Sequence, residues 1–313
     1  MMKNQMIQAL KTGKTFLLSG HVNPDGDALG ALAGMAFLLK YLGKEAIILL
    51  EQVPKKYAYL VEGLTTCKDY EGEYDSFVAL DCGSKERLGS YEKYFEKATH
   101  SYNIDHHYSN DLFGLNNYVD KEASSTSELV FELIEEVKMP LEKEVAIALY
   151  SGIVYDTGGF MHSCTRPSTH EMAAKLLTIS FDAPKIYQYI IHLRTKKTCL
   201  LQGILIKRAK WIGKDKAFSY ITTKDLEEND CELSDIDGIV NYLKNIEDIH
   251  LAAILYPSSS GGYKLSLRSD PPYDVAKFAG FFGGGGHQRA SGATLEGNLE
   301  KLIPQLITTL EEF

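Results

Sequence analysis

The chain has 313 residues, 44% of them hydrophobic and 24% charged, with a formal net charge of −9. That length favours two domains over one, and the hydrophobic share is ample for packed cores. The acidic balance argues against sequence-blind binding to long DNA or RNA, which needs a basic face. A short anionic substrate held beside bound cations stays open. The five cysteines, Cys67, Cys82, Cys164, Cys199 and Cys231, form no C-x-x-C pair, so neither a disulfide framework nor a zinc knuckle is indicated. No signal-peptide core follows Met1, and the longest apolar stretch, residues 28–39, is too short to span a bilayer. The expectation is a cytoplasmic protein without a membrane partner.

In chain order, residues 15–20 read as a buried strand and 28–42 as a helix stopped by Gly43. Residues 46–50, 77–80 and 101–104 continue as strands. Alternation with short connections predicts an α/β fold, a mostly parallel sheet with flanking helices. From Ser124 the pattern turns helical. Ser125-Thr126-Ser127-Glu128 matches a capping box ahead of the one-faced set Leu129, Val130, Leu133 and Ile134. Pro140 ends that helix and residues 142–154 begin another. Residues 183–208 read as one connecting helix. Beyond it come a strand at 217–221, a helix at 236–243, and strands at 250–256 and 263–269 around the turn 257–262, a hairpin within a smaller α+β domain. The expected organisation is a metal-binding domain over 1–190, a linker over 191–210 and a substrate-binding domain over 211–313.

Four clusters of acidic or histidine residues follow apolar runs. His21-Val22-Asn23-Pro24-Asp25-Gly26-Asp27 follows Phe16-Leu17-Leu18; Asp81 closes Phe77–Leu80; Asp105-His106-His107 follows Ile104; Asp156 closes Gly152–Tyr155. The carboxyl ends of strands are where an α/β sheet presents residues to a ligand. In a turn, Asp25 and Asp27 can reach different ions, and His21 can close on the ion of Asp25. With Asp81, His106 and Asp156 the set is four carboxylates and two imidazoles, enough negative charge for two divalent cations. Oxygen and nitrogen without sulfur suit manganese, magnesium or cobalt better than structural zinc. Two ions roughly 3.5–4 Å apart stabilise the attacking and leaving oxygens of an in-line phosphoryl displacement. Asp105 is then expected to orient an imidazole, and His107 to face the substrate as donor to a phosphoryl oxygen or leaving group.

A second dense signal is Phe281-Phe282-Gly283-Gly284-Gly285-Gly286-His287. Consecutive glycines allow backbone N–H groups to cradle phosphate, with His287 adding a directed donor. Upstream, Lys264, Ser266 and Arg268 alternate with Leu265 and Leu267, which places them on one strand face. Arg268 suits a bidentate phosphate grip.

The sequence resembles the DHH phosphoesterases. The motifs that carry the likeness are His21–Gly30, Ala79-Leu80-Asp81, Asp105-His106-His107 and Gly152–Gly158, in the family's order. Gly284-Gly285-Gly286-His287 and the preceding Arg268-Ser269 resemble motifs of the companion DHHA1 domain. The resemblance spans nearly the whole chain and is closest in length and order to the nano-RNase and pAp phosphatase branch. It implies two manganese ions, His21 and Asp25 on one, Asp27, His106 and Asp156 on the other, with Asp81 bridging. It also implies hydrolysis of very short oligoribonucleotides or linear dinucleotides, removal of the 3′-phosphate of adenosine 3′,5′-bisphosphate, and an active site in the interdomain cleft. Substrate phosphate is expected at Arg268, Ser269, residues 284–286 and His287; a homodimer is compatible with all of this. Pyrophosphate or polyphosphate hydrolysis is the alternative, and a non-catalytic nucleotide-binding regulator the second. The chain departs from many relatives at Gly159, where they carry arginine; Arg166 is the candidate to replace it.

Overall fold

The computed structural model describes residues 2–236, 238–259 and 261–313, and the chain divides into two compact units, Met1–Leu193 and Arg194–Phe313. The first runs α1 (Lys3–Leu10), β1 (Thr15–Ser19), α2 (Gly26–Tyr41), β2 (Glu45–Leu49), β3 (Thr66–Cys67), β4 (Ser76–Leu80), α3 (Glu92–Lys97), β5 (His100–Asp105), β6 (Asn116–Val119), α4 (Thr126–Glu136), α5 (Lys143–Asp156), α6 (Pro167–Leu176) and α7 (Ala183–Tyr187). Its six strands are parallel throughout, in the order β3-β2-β1-β4-β5-β6. The predicted parallel α/β sheet is therefore present.

Alternate strand residues divide between two cores, as the two-residue period of a strand requires. Phe16, Leu18, Val78, Leu80, Tyr102 and Ile104 pack against α1, α2, α4 and α5. Leu17, Ile47, Leu49, Phe77 and Ala79 pack on the other face against Leu88, Tyr91, Tyr94 and Phe95. Helix α2 is buried almost all round, and Leu29, Leu32, Leu38 and Leu39 are fully enclosed. Each contributes about 1.5–3 kcal/mol by leaving water. The same helix lies so close to the α4–α5 layer that a Cβ added at Gly152 in α5 would sit 2.0 Å from Ser127 Oγ and 2.7 Å from Asp27 Oδ1.

The second unit contains α8 (Lys196–Arg208), β7 (Lys210–Ile212), β8 (Lys216–Tyr220), α9 (Thr223–Glu228), α10 (Val240–Lys244), β9 (Leu251–Pro257), β10 (Tyr263–Ser269), α11 (Val275–Gly280), β11 (Gly285–His287), β12 (Ala290–Leu295) and α12 (Leu299–Glu312). Its six strands form one mixed sheet, β11-β12-β10-β9-β8-β7. The hairpin appears as the antiparallel pair β9–β10, while β8 runs parallel to β9. Leu251, Ala253 and Leu255 pack with α11 and α12 on one face. Ala252 and Ile254 pack with α8 and α10 on the other.

Two expected helices differ. Residues 183–208 are not one helix: α7 passes into a single π turn at Gln188–His192, and α8 restarts after an extended Leu193 with Thr195 as its N-cap. Residues 236–243 resolve into a 3-10 turn ending at Ile236 and the short α10; Asp237 lies outside the described residues, as does Ser260 in the hairpin turn. The helix expected over 142–154 is present as α5, so Asp156 closes a helix, unlike the donors that follow strands. Among the described residues, no helix is long and apolar enough to cross a membrane.

Candidate metal centre

The strand order of the first unit reverses between β1 and β4, where α/β sheets leave a crevice at their carboxyl ends. His21 and Asp25 follow β1 and Asp81 follows β4; His106 and His107 follow β5, the next strand out. Asp156 arrives from the end of α5 and Asp27 from the first turn of α2.

These side chains converge. His21 Nε2 lies 3.7 Å from both Asp25 Oδ2 and Asp81 Oδ2. His106 Nε2 lies 3.2 Å from Asp156 Oδ2 and 3.6 Å from Asp81 Oδ1. Three groups could each hold a cation: His21 with Asp25 and Asp81; Asp27 with His106 and Asp156; and Asp81 with His106 and His107. Asp81 belongs to two of them, presenting one oxygen to His21 and the other to His106.

The surroundings fix each donor. Asp25 is the N-cap of α2, its Oδ1 accepting the N–H groups of Asp27 and Ala28, which leaves Oδ2 for His21. Asp27 accepts from Thr126 N–H at 2.7 Å and Ser127 N–H at 3.0 Å, at the amino end of α4. Unpaired amides and the helix dipole favour an anion there. The capping box is only half formed. Ser125 Oγ accepts from Glu128 N–H, but the Glu128 carboxylate binds Ser124 N–H and the Ser124, Ser168 and Thr169 hydroxyls instead. His106 places Nδ1 3.3 Å from the Ala123 carbonyl, the arrangement that leaves Nε2 for a metal. Thr126 Oγ1–H donates to Asp81 Oδ1 at 2.9 Å.

Electrostatics show what the cluster lacks. Burial, then the charges of Asp27, Asp25, Asp156 and Asp105, push Asp81 well above the usual carboxylate range. Asp156 is pushed up to about 7 by burial and then by Asp27. Asp27 is raised by burial, against the pull of His106. Burial also acts on Asp25, but His21 and the helix N–H groups outweigh it and hold that carboxyl low. Repelling carboxylates and two imidazoles whose Nε2 atoms face them are a donor set that divalent cations fit. Cys82, beside Asp81, is outside it: burial holds its thiol up at about 12.

A pH-dependent result follows. Asp156 folded without cations holds a proton between its ordinary 3.8 and about 7 that the unfolded chain has released. Its contribution to stability is present at low pH and lost as pH rises through 7. Cation binding expels that proton. Added manganese should therefore raise Tm more at pH 8 than at pH 6, in melting curves with and without the ion; an equal or reversed increment would contradict the assignment.

Asp105 is fully buried and 2.7 Å from His107 Nδ1 through Oδ1, while Asn110 Nδ2 donates to its other oxygen. Burial alone would raise the Asp105 carboxyl, but His107 and Asn110 bring it below its ordinary range. His107 is raised, first by that bond to Asp105. Its Nδ1 is anchored, while its Nε2 makes no hydrogen bond among the described residues.

In the second unit the glycine run is not an open nest. Gly284 N–H donates to Ala279 O at the end of α11, and residues 285–287 form the edge strand β11, paired Gly285↔Gly292, Gly286↔Ser291 and His287↔Ala290. The single-sided pairing of an edge strand leaves His287 exposed. Arg268 is half-buried on the face of β10 opposite Leu267, alternating with that buried residue as expected, and donates to the Leu267 carbonyl. Ser269 is buried and its hydroxyl is committed to the Tyr273 and Gln288 carbonyls, so it holds the strand's end rather than offering a free donor. Gly159 has φ +70, and a Cβ there would stand 2.5 Å from the Tyr187 hydroxyl and 2.8 Å from its ring, so a side chain at this position requires Tyr187 to move. Arg166, the N-cap residue of α6, has a buried Nε with no partner among the described residues. The anchoring amides of Thr126 and Ser127 were missed in the sequence, although the Ser125–Glu128 signal marked an anion-attracting helix start.

The DHH family, N-terminal domain, matches residues 15–153, and the DHHA1 domain matches residues 215–313. A Bacillus subtilis protein named bifunctional oligoribonuclease and PAP phosphatase NrnA is 26% identical, covering 99% of both chains. Its namesake from Thermus thermophilus is 29% identical over 94% of this chain and 89% of its own. A solved exopolyphosphatase-related protein from Bacteroides fragilis, 24% identical, superposes with a TM-score of 0.86 over 99% of this chain and 96% of its own, a likeness of fold.

Proposed function

We propose that this chain, which belongs to the DHH/DHHA1 phosphoesterase family, is a divalent-cation-dependent hydrolase of short oligoribonucleotides and of adenosine 3′,5′-bisphosphate. The names of its full-length relatives support that substrate class. The single observation that carries the chemistry is Asp81 shared between two groups of metal-type donors at the switch point of a parallel sheet. His21, Asp25 and Asp81 would hold one ion; Asp27, His106, Asp156 and the second oxygen of Asp81 would hold the other. Manganese is the favoured ion, with magnesium or cobalt also suited to oxygen and nitrogen donors.

When bound, two such ions activate water and neutralise charge on the phosphoryl group. The chain's own residues do the rest. Asp105 holds Nδ1–H of His107, so the ring's Nε2–H is presented to the leaving oxygen and gives it a proton. Amides of α4 keep Asp27 in place before any ion arrives, which limits reorganisation on binding. In the second unit, phosphate recognition is assigned to the side chains of Arg268 and His287, since the backbone of residues 284–286 is engaged in the sheet and with Ala279.

Incubating the protein with manganese and labelled oligoribonucleotides of two to seven units, then separating the products, tests the reading. Mononucleotides should accumulate, fastest from the shortest substrates, and chelator should stop the reaction. Pyrophosphate cleaved in preference to dinucleotide, or tight dinucleotide binding with no turnover, would replace the reading by its rivals. His287→Ala and Arg268→Ala should raise KM more than they lower kcat; unchanged KM would remove phosphate recognition from that unit.

A further inference from the structure

The turn after Asp81 carries a cation that the centre above does not use. Residues 85–91 form a 3-10 turn whose first half presents Arg87 at the surface. Its guanidinium makes no hydrogen bond or ion pair among the described residues, in a chain with nine more acidic than basic side chains. Neighbouring Lys85, by contrast, is bound to Glu92 and Glu96.

The backbone of this turn is bonded to the His21 loop, and the segment that leads into it passes close to His107. Val22 N–H, next to His21, donates to the Arg87 carbonyl at 2.9 Å. Gly89, at φ +57, lets the turn close on Val22, whose Cγ1 lies 2.3 Å from where a Cβ would stand. Gly83, two residues past Asp81, is within 3.5 Å of His107 Cβ by the same measure. Arg87 therefore lies on a turn bonded to the His21 loop and entered from the segment beside His107. Its charge is felt there: it disfavours a second positive charge on His107 and favours the anion of Cys82.

We propose that Arg87 is a phosphate-contacting residue of the first unit, its guanidinium gripping non-bridging oxygens of the substrate phosphate beside His107. This rests on the phosphoester substrate proposed above. An unpaired guanidinium is the group that nature's phosphate sites use for bidentate recognition, and its fork cannot be matched by the point charge of lysine. Holding the phosphate opposite the carboxylate-rich floor would also orient the leaving oxygen toward His107 Nε2.

Arg87→Ala and Arg87→Lys test it, with 5′-phosphorylated diadenylate and manganese. Arg87→Ala should lose about 10–100-fold in kcat/KM, the scale of one charged hydrogen-bonding contact, and Arg87→Lys should regain only part. Added guanidinium ion should restore activity to the alanine variant but not raise that of wild type. The manganese-induced rise in Tm should be unchanged in both variants. Activity within twofold of wild type, or a loss matched by a loss of that Tm rise, overturns the proposal, because the residue would then be idle or structural. Affinity for adenosine 3′,5′-bisphosphate in calcium, measured by calorimetry, reads the contact without turnover. Wild type that binds in an Arg87-dependent way yet hydrolyses nothing would refute the proposed function and keep this contact; equal binding by wild type and Arg87→Ala would refute the contact alone.

Discussion

Asp81→Asn should abolish turnover while leaving the cation-free protein more stable. The carboxylate offers one oxygen toward each ligand group, so a neutral amide removes the shared negative charge from both. Several kcal/mol of cation-derived transition-state stabilisation is at stake, a loss of at least about 10³-fold in kcat. Stability moves the other way. Asp81 is buried and repelled by four other carboxylates, and asparagine relieves that repulsion. Asparagine also tolerates the left-handed backbone of this position, φ +55, and its Oδ1 can still accept from Thr126 Oγ1. Each 1 kcal/mol relieved should raise the cation-free Tm by about 2–4 °C for units of this size. Melting with and without manganese, alongside dinucleotide turnover, checks both halves. Retained activity, or a variant whose Tm still climbs with manganese as wild type does, would reject the bridging position.

The second large effect is expected at Gly152→Ala. By helix propensity alone the change should stabilise α5 by about 0.8–1 kcal/mol. Here the new methyl would stand 2.0 Å from Ser127 Oγ and 2.7 Å from Asp27 Oδ1, in a fully buried layer. Overpacking of that kind costs about 1–3 kcal/mol, so the steric term wins and the variant melts lower. The displaced groups are those that hold Asp27, so cation affinity should fall about 10–100-fold, as when a supporting partner of a ligand is disturbed. Gly203→Ala in α8 is the control. Nothing lies within 4 Å of its added methyl, so propensity should show undiminished there and cation affinity should not move. Equal behaviour of the two variants in a manganese titration followed by melting would dismiss the steric account.

How much of this could be read from the residues differs by element. The β1, β4 and β5 runs were legible because a strand buried on both faces leaves an unbroken apolar stretch, and the donors at their ends stood out. The helix over 142–154 was legible, and so was Asp156 as a donor. Its apolar run reads like the strand runs that precede the other donors, because such runs look alike in buried helices and buried strands. The edge strand β6 escaped because Asn116–Val119 is short and half polar. The glycine run was seen, but its pairing with residues 290–292 depends on a partner strand that composition does not reveal. Arg87 gave no signal at all: only the backbone bond from Val22 brings its turn to the centre.

Asp25 and Asp27 anchor helix starts as well as being proposed donors. Selection on folding would therefore preserve both aspartates after catalysis had been abandoned. A descendant that had turned into a pure binding protein would first lose His106 or Asp156, whose side chains no helix start depends on. Among sequences of this kind, survival of the first motif alone is thus a record of architecture, and the later histidine and aspartate are the markers of a working enzyme.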